Sequence, residues 1–246
     1  MAKMKSPIGD RLKRYHGEAW HTPQGKLIRD VVYAIDTGLI TTVSFMAGVS
    51  VSLPTRETVL LAGLVQVIAG TLAIFFGAYI STKAQKDFFE NQIERERREL
   101  EEMPEKEKQE IRDIFSEMGF REEELETAVE RITADKETWL KFMVQEEIGV
   151  IPGTIDNPLL IGGISTVSFL IGATPAIAPF LLGLPTFNAL LLSAGFVLVF
   201  LFILGVVKSR LTKVFWIWSG LETLVVGGVS CGLGFLLGRL VSGAFQ

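Results

Sequence analysis

Residues 58–102 read TVLLAGLVQVIAGTLAIFFGAYIST and then, without a break, KAQKDFFENQIERERRELEE. The first 25 positions carry no charge, enough to cross a bilayer at about 20 residues per span. The following stretch, Lys83 to Glu102, has no Pro or Gly and is dense in good helix formers, so the same helix is expected to leave the membrane and continue into water. Membrane-embedded and solvated halves therefore share one helix, and the rest of the chain must be read as one or the other.

Working outward, 157–207 is also free of charge, and the 246-residue chain is 48% hydrophobic with only 21% charged residues. Its mean hydropathy is +0.37. These values describe an integral, all-α membrane protein with five spans, near 31–53, 58–82, 158–182, 187–207 and 214–238, turning at Pro54 and at Gly183-Leu184-Pro185. The organisation expected is an amphipathic N-terminal segment (1–30), spans one and two (31–82), an acidic helical domain (83–150) and spans three to five (151–246).

The formal net charge of −4 hides a strong asymmetry, because 83–150 holds 21 Asp/Glu against 12 Lys/Arg. An acidic surface of this kind repels nucleic acid and anionic headgroups and favours cations. The single cysteine, Cys231, excludes an intrachain disulfide and a thiolate cluster within one chain. Residues 1–29 carry seven Lys/Arg and no apolar core ahead of span one, unlike a cleaved signal peptide. Lys and Arg gather before span one, in 83–150, and at Lys208, Arg210 and Lys213, whereas the other side has only Arg56 and Arg239. The positive-inside rule then puts the N-terminus and 83–150 in the cytoplasm and the C-terminus outside, with Tyr33, Trp216 and Trp218 as interfacial anchors. His16 and His21, flanking Glu18, read as part of an interfacial helix.

Spans one and three are copies. Gly38-Leu-Ile-Thr-Thr-Val-Ser-Phe-Met-Ala-Gly48 matches Gly162-Gly-Ile-Ser-Thr-Val-Ser-Phe-Leu-Ile-Gly172 at seven of eleven positions. Both run outward from the cytoplasm, a parallel repeat of the type found in transporters.

Within the acidic domain, Met103-Pro104 breaks the long helix; Pro104 suits the first turn of a second, reaching about Met118 and ended by Gly119. A third is expected over Glu122 to Arg131 and a fourth over Ala134 to Ile148, capped by Thr133. Glu96-x2-Glu99 and Glu107-x2-Glu110 flank the break, each pair on one helix face. Four carboxylates brought together repel one another, and a divalent cation relieves that repulsion. Salt bridges to Arg95, Arg97, Arg98, Lys106 and Lys108 are the plainer account of the same residues. Met143 and Glu147, one turn apart, would add a thioether that favours Fe²⁺ or Mn²⁺, or Met143 simply packs with Trp139 and Phe142. In the spans, Asp36 is a carboxylate whose repeat counterpart is Leu160, and Gln66, Gly70, Ala73 and Gly77 form a small or polar stripe. Glu222 is the sole charge within span five.

These motifs, in this order and together with Gly-Ala-Tyr-Ile-Ser at 77–81, resemble the vacuolar iron transporter family of iron and manganese carriers over nearly the whole chain. The resemblance implies that Glu96, Glu99, Glu107, Glu110, Met143 and Glu147 are cytoplasmic metal ligands and that Asp36 is the first-span transport aspartate. It further implies a homodimer with its path near the subunit interface, exchanging cytosolic Fe²⁺ for protons. The metal is then a substrate and no prosthetic group is required. Gln66 and Ile74 differ from the glutamate and methionine of plant relatives, and Asp36-Thr37-Gly38 from their Asp-Gly. The expectation is a secondary transporter rather than an enzyme, in a prokaryotic plasma membrane rather than a vacuole. The rival is a membrane-anchored metal sensor or interaction protein that conducts nothing.

Overall fold

A computed structural model describes residues 25–53, 55–149 and 155–244; the expectations for His16, Glu18 and His21 fall outside them, as does the turn residue Pro54. Eight helices, and no strand, occur among the described residues: α1 (Gly25–Ser50), α2 (Arg56–Glu102), α3 (Pro104–Glu117), α4 (Glu122–Thr133), α5 (Lys136–Glu146), α6 (Pro158–Leu181), α7 (Thr186–Thr212) and α8 (Trp216–Ala244). Five of them, α1, α2, α6, α7 and α8, are long and apolar enough to cross a membrane. The described chain divides into two compact units, one of residues 81–149 with 155–157, the other of 25–53, 55–80 and 158–244.

The five-helix unit is held by close helix approaches rather than by large interlocking side chains. α1 packs most extensively against α6. A Cβ on Gly38 would collide with the backbone oxygen of Phe169, and one on Gly172 with that of Ile35, so only glycine permits this crossing. Past the crossing, Leu39 and Val43 share an apolar cluster with Ala176, and Met46 shares the next with Phe180. Residue numbers rise together along this seam, so the two helices run parallel. α2 runs against α6: Gly63 lies by Ile177, Gly70 by Phe169, and Phe75 by Gly162. Hydroxyls add interhelical bonds, Ser193 donating to the Ala176 carbonyl at 2.6 Å and Ser219 to the Gly205 carbonyl at 2.8 Å.

The repeated segments are not in equivalent surroundings. Gly38 lies against α6, yet its counterpart Gly162 lies against Phe75 of α2; Val43 is fully buried while its counterpart Val167 is 58% exposed. Leu61, Leu64, Val65, Ile68, Leu72 and Phe76 stand exposed along α2, as do Val225, Val229, Leu233 and Leu240 along α8. A surface so apolar over such lengths suits lipid or another protein, not water.

Several boundaries differ from expectation. α5 runs over Lys136–Glu146 instead of from Ala134 to Ile148, α7 reaches Thr212 beyond the expected 207, and α8 reaches Ala244 beyond the expected 238. Thr133 belongs to the end of α4, and the cap of α5 is Asp135, whose carboxylate accepts from the Thr138 backbone N–H at 2.9 Å. A carboxylate at this position satisfies an otherwise orphaned helix donor and also interacts with the helix dipole.

Candidate functional site: a buried glutamate cluster

α3, α4 and α5 each bury one amphipathic face in a small core of Ile111, Val129, Trp139 and Met143, which Leu100 from α2 joins at its edge. α2 stops at Glu102, and Pro104 takes the first turn of α3, where its missing N–H costs nothing. The change of direction places the last turns of α2 and the first turn of α3 over the same core. One turn before Leu100 is Glu96, one turn before Ile111 is Glu107, and one turn after Met143 is Glu147. Three glutamates thus sit on helix positions adjoining core residues.

The four paired glutamates separate into an inner and an outer set. Glu96 and Glu107 are 3% and 1% exposed. One oxygen of Glu96 and both oxygens of Glu107 have no hydrogen-bond partner. Glu99 is instead bound by Arg95 at 2.9 Å, and Glu110 by Lys106 at 2.8 Å. Lys106 also approaches Glu107, at 3.9 Å, too far for a hydrogen bond. The plainer reading therefore holds for Glu99 and Glu110, which are salt-bridged at hydrogen-bond distance, whereas Glu107 has only the long contact to Lys106.

Burial has an electrostatic consequence. Desolvation, followed by the charge and hydrogen bond of Glu147 and the charges of Glu107 and Glu99, lifts the Glu96 carboxyl to about 8. Glu107 is raised too, by burial and then by Glu110, with Lys106 opposing. A carboxyl raised to about 8 is mostly protonated near neutral pH, so Glu96 carries a proton there. Among the described residues, no three His, Cys, Asp or Glu side chains are gathered closely enough to hold a metal ion in this conformation. Exchanging the Glu96 proton for a divalent cation would relieve the repulsion and supply the unpartnered oxygens.

Of the sequence candidates, Glu99, Glu107 and Glu147 act electrostatically on Glu96, and Glu99, Glu110 and Glu147 on Glu107. Met143 is fully buried in the core with Ile111 and Trp139. Asp36 on α1 and Gln66 on α2 belong to the five-helix unit, and each has a buried oxygen without a hydrogen-bond partner. Of the Gln66 stripe, Gly70 packs on Phe169 while Gly77 has nothing within 4 Å. Sequence reasoning missed the partner of Glu222, which is Lys208 on α7 at 3.1 Å. It also missed which glutamates are buried, because an apolar residue follows one turn beyond all four: Leu100, Met103, Ile111 and Ile114.

Comparison with known proteins adds an independent line. The family model described as VIT family matches residues 28–239. Vacuolar iron transporter 1 of Oryza sativa subsp. japonica is 27% identical over 227 residues, covering 92% of this chain and 90% of the relative. Vacuolar iron transporter 1 of Arabidopsis thaliana is 26% identical over 235 residues, covering 96% and 94%. The vacuolar iron transporter of Toxoplasma gondii (strain ATCC 50861 / VEG) is 29% identical over 204 residues, covering 79% and 68%.

Proposed function

The chain belongs to the VIT family, and from that premise we propose that it is a homodimeric secondary transporter moving Fe²⁺ or Mn²⁺ out of the cytoplasm in exchange for protons. Its relatives are named as iron transporters, so passage of an ion rather than bond chemistry is the activity to explain. The observation that carries the reading is the buried, unsatisfied pair Glu96 and Glu107 beside Glu147.

In this reading residues 83–150 form a cytoplasmic metal-collecting domain. Glu96, Glu107 and Glu147 supply the inner oxygens, and Glu99 and Glu110 join when Arg95 and Lys106 release them. Met143 supplies a soft donor, one turn from Glu147. Loading displaces the Glu96 proton, so capture weakens as pH falls. Asp36, inside the first span, takes the ion onward, with Gln66 a neutral polar group of the path. Asp36 can hold either a cation or a proton but not both, which is the minimum an exchanger needs. Lys/Arg asymmetry supports the topology, and a prokaryotic plasma membrane suits the proton gradient required.

The test is Mn²⁺ and Fe²⁺ uptake into proteoliposomes carrying the whole protein, with and without a pH gradient. Gradient-driven uptake lost in Asp36→Ala is expected. Metal binding without flux in any gradient would sink the transporter reading and leave a metal sensor. Undiminished uptake by Asp36→Ala would remove Asp36 from the path.

A further inference from the structure

Asp36 does not stand alone in the five-helix unit. It lines a cavity of about 470 Å³ between α1, α7 and α8, together with Arg29, Tyr33, Lys208, Glu222 and Thr223. Three of the charged groups are already committed: Arg29 lies 2.9 Å from Asp30, and Lys208 lies 3.1 Å from Glu222. Asp36 is the exception, half-buried, with Oδ1 shielded and unpartnered. The positive charge of Lys208 acts on Asp36 across the cavity.

We propose that Lys208 is a tethered counter-ion of the transport path, its ammonium alternating between Glu222 and Asp36, with the passing metal ion displacing it from Asp36 and Glu222 receiving it. The inference rests on Asp36 carrying the ion. A carboxylate whose shielded oxygen has no partner in an apolar bundle is costly. A lysine satisfies it reversibly, because its flexible four-carbon stem moves a compact charge without rebuilding the backbone. A permanent Lys208–Asp36 pair would block the metal, and Glu222, 69% exposed, is a holding place from which the ammonium can leave. In the structure Lys208 is on Glu222, and Oδ1 of Asp36 is without a partner. Nothing covalent changes, and the lysine stays protonated throughout.

The two ends of this exchange predict opposite kinetics. Glu222→Gln frees Lys208 to occupy Asp36, so the KM for Mn²⁺ in proteoliposomes should rise by about threefold or more, the range of a partly exposed ion pair. Lys208→Gln removes the competitor, so KM should fall by a similar factor while kcat drops through slower release from Asp36. The double variant should follow Lys208→Gln, since Glu222 has no role without the lysine. Lys208→Arg, which keeps the charge, should bring KM back toward wild type. A purely structural α7–α8 salt bridge would instead lower the thermal midpoint in both single variants and leave KM alone, or shift it the same way in each; either result overturns the proposal. Wild-type protein that moves no Mn²⁺ would overturn the transport reading itself, and this inference with it.

Discussion

Lowering the pH should empty the glutamate cluster, and the steepness is set by Glu96. Its carboxyl titrates near 8 and faces Glu147, Glu107 and Glu99, while the neighbouring bases Arg95 and Lys106 hold Glu99 and Glu110. Below that pH a proton occupies an oxygen that the metal needs. Well below that value each unit of acidification should weaken Mn²⁺ binding about tenfold for each proton displaced, or roughly fiftyfold between pH 8 and pH 6 for Glu96 alone. Glu107, also raised by burial, adds to the dependence. Titration calorimetry on the detergent-solubilised whole protein, in two buffers of different ionisation enthalpy, counts the released protons directly. We expect at least about one proton released per ion near pH 7, and Glu96→Gln should remove about one. Affinity that is flat from pH 6 to 8, with no buffer-dependent heat, would show that the buried carboxyls are not ligands.

Other measurements bear on the same physics. Without metal, Glu96 binds a proton more tightly folded than unfolded, so its contribution is complete below about pH 4.5 and is lost as pH rises through the folded value near 8; Glu107 acts in the same direction. The thermal midpoint of the 81–149 unit should therefore fall between pH 5.5 and 8.5, less so in Glu96→Gln, and Mn²⁺ should restore it at the upper end. Ile111→Ala, removing a fully buried side chain from the α3–α5 core, should cost about 2–5 kcal/mol and lower metal affinity through lost order. Met143→Leu conserves volume and should cost under about 1.5 kcal/mol; preference for Fe²⁺ over Ca²⁺ should nevertheless fall, and an unchanged preference would confine Met143 to packing. Gly172→Val, driven into the Ile35 carbonyl, should abolish a folded detergent-stable species by size-exclusion chromatography, whereas Gly77→Ala, with open space around it, should not.

The fold was legible where local chemistry alone decides it. No helix breaker separates Thr82 from Lys83, so one helix carries the chain from apolar to charged sequence, and α2 is unbroken from Arg56 to Glu102. Pro104 at the start of α3 and the turn at Leu182–Pro185 follow from backbone restrictions in the same way. The cap of α5 was misplaced because Thr133 and Asp135 are both competent caps, and only the extent of α4 decides between them. Glu-x2-Glu spacing treats its members alike; tertiary packing over Leu100 and Ile111 is what buries Glu96 and Glu107 and leaves Glu99 and Glu110 to Arg95 and Lys106. The ion pair of Lys208 and Glu222 joins groups 14 residues apart in different helices, beyond the reach of helical periodicity. The repeat likewise announced two related helices without revealing that Val43 is buried and Val167 exposed.

The raised carboxyl of Glu96 has a physiological corollary for an exchanger of the kind proposed. A carrier that admits protons for every ion expelled acidifies the compartment from which it loads. Because that acidity would protonate Glu96, each turnover would tighten the brake on the next. Export by such a carrier would slow before it collapsed the gradient driving it, a self-limiting feedback written into one buried carboxyl group and needing no regulator.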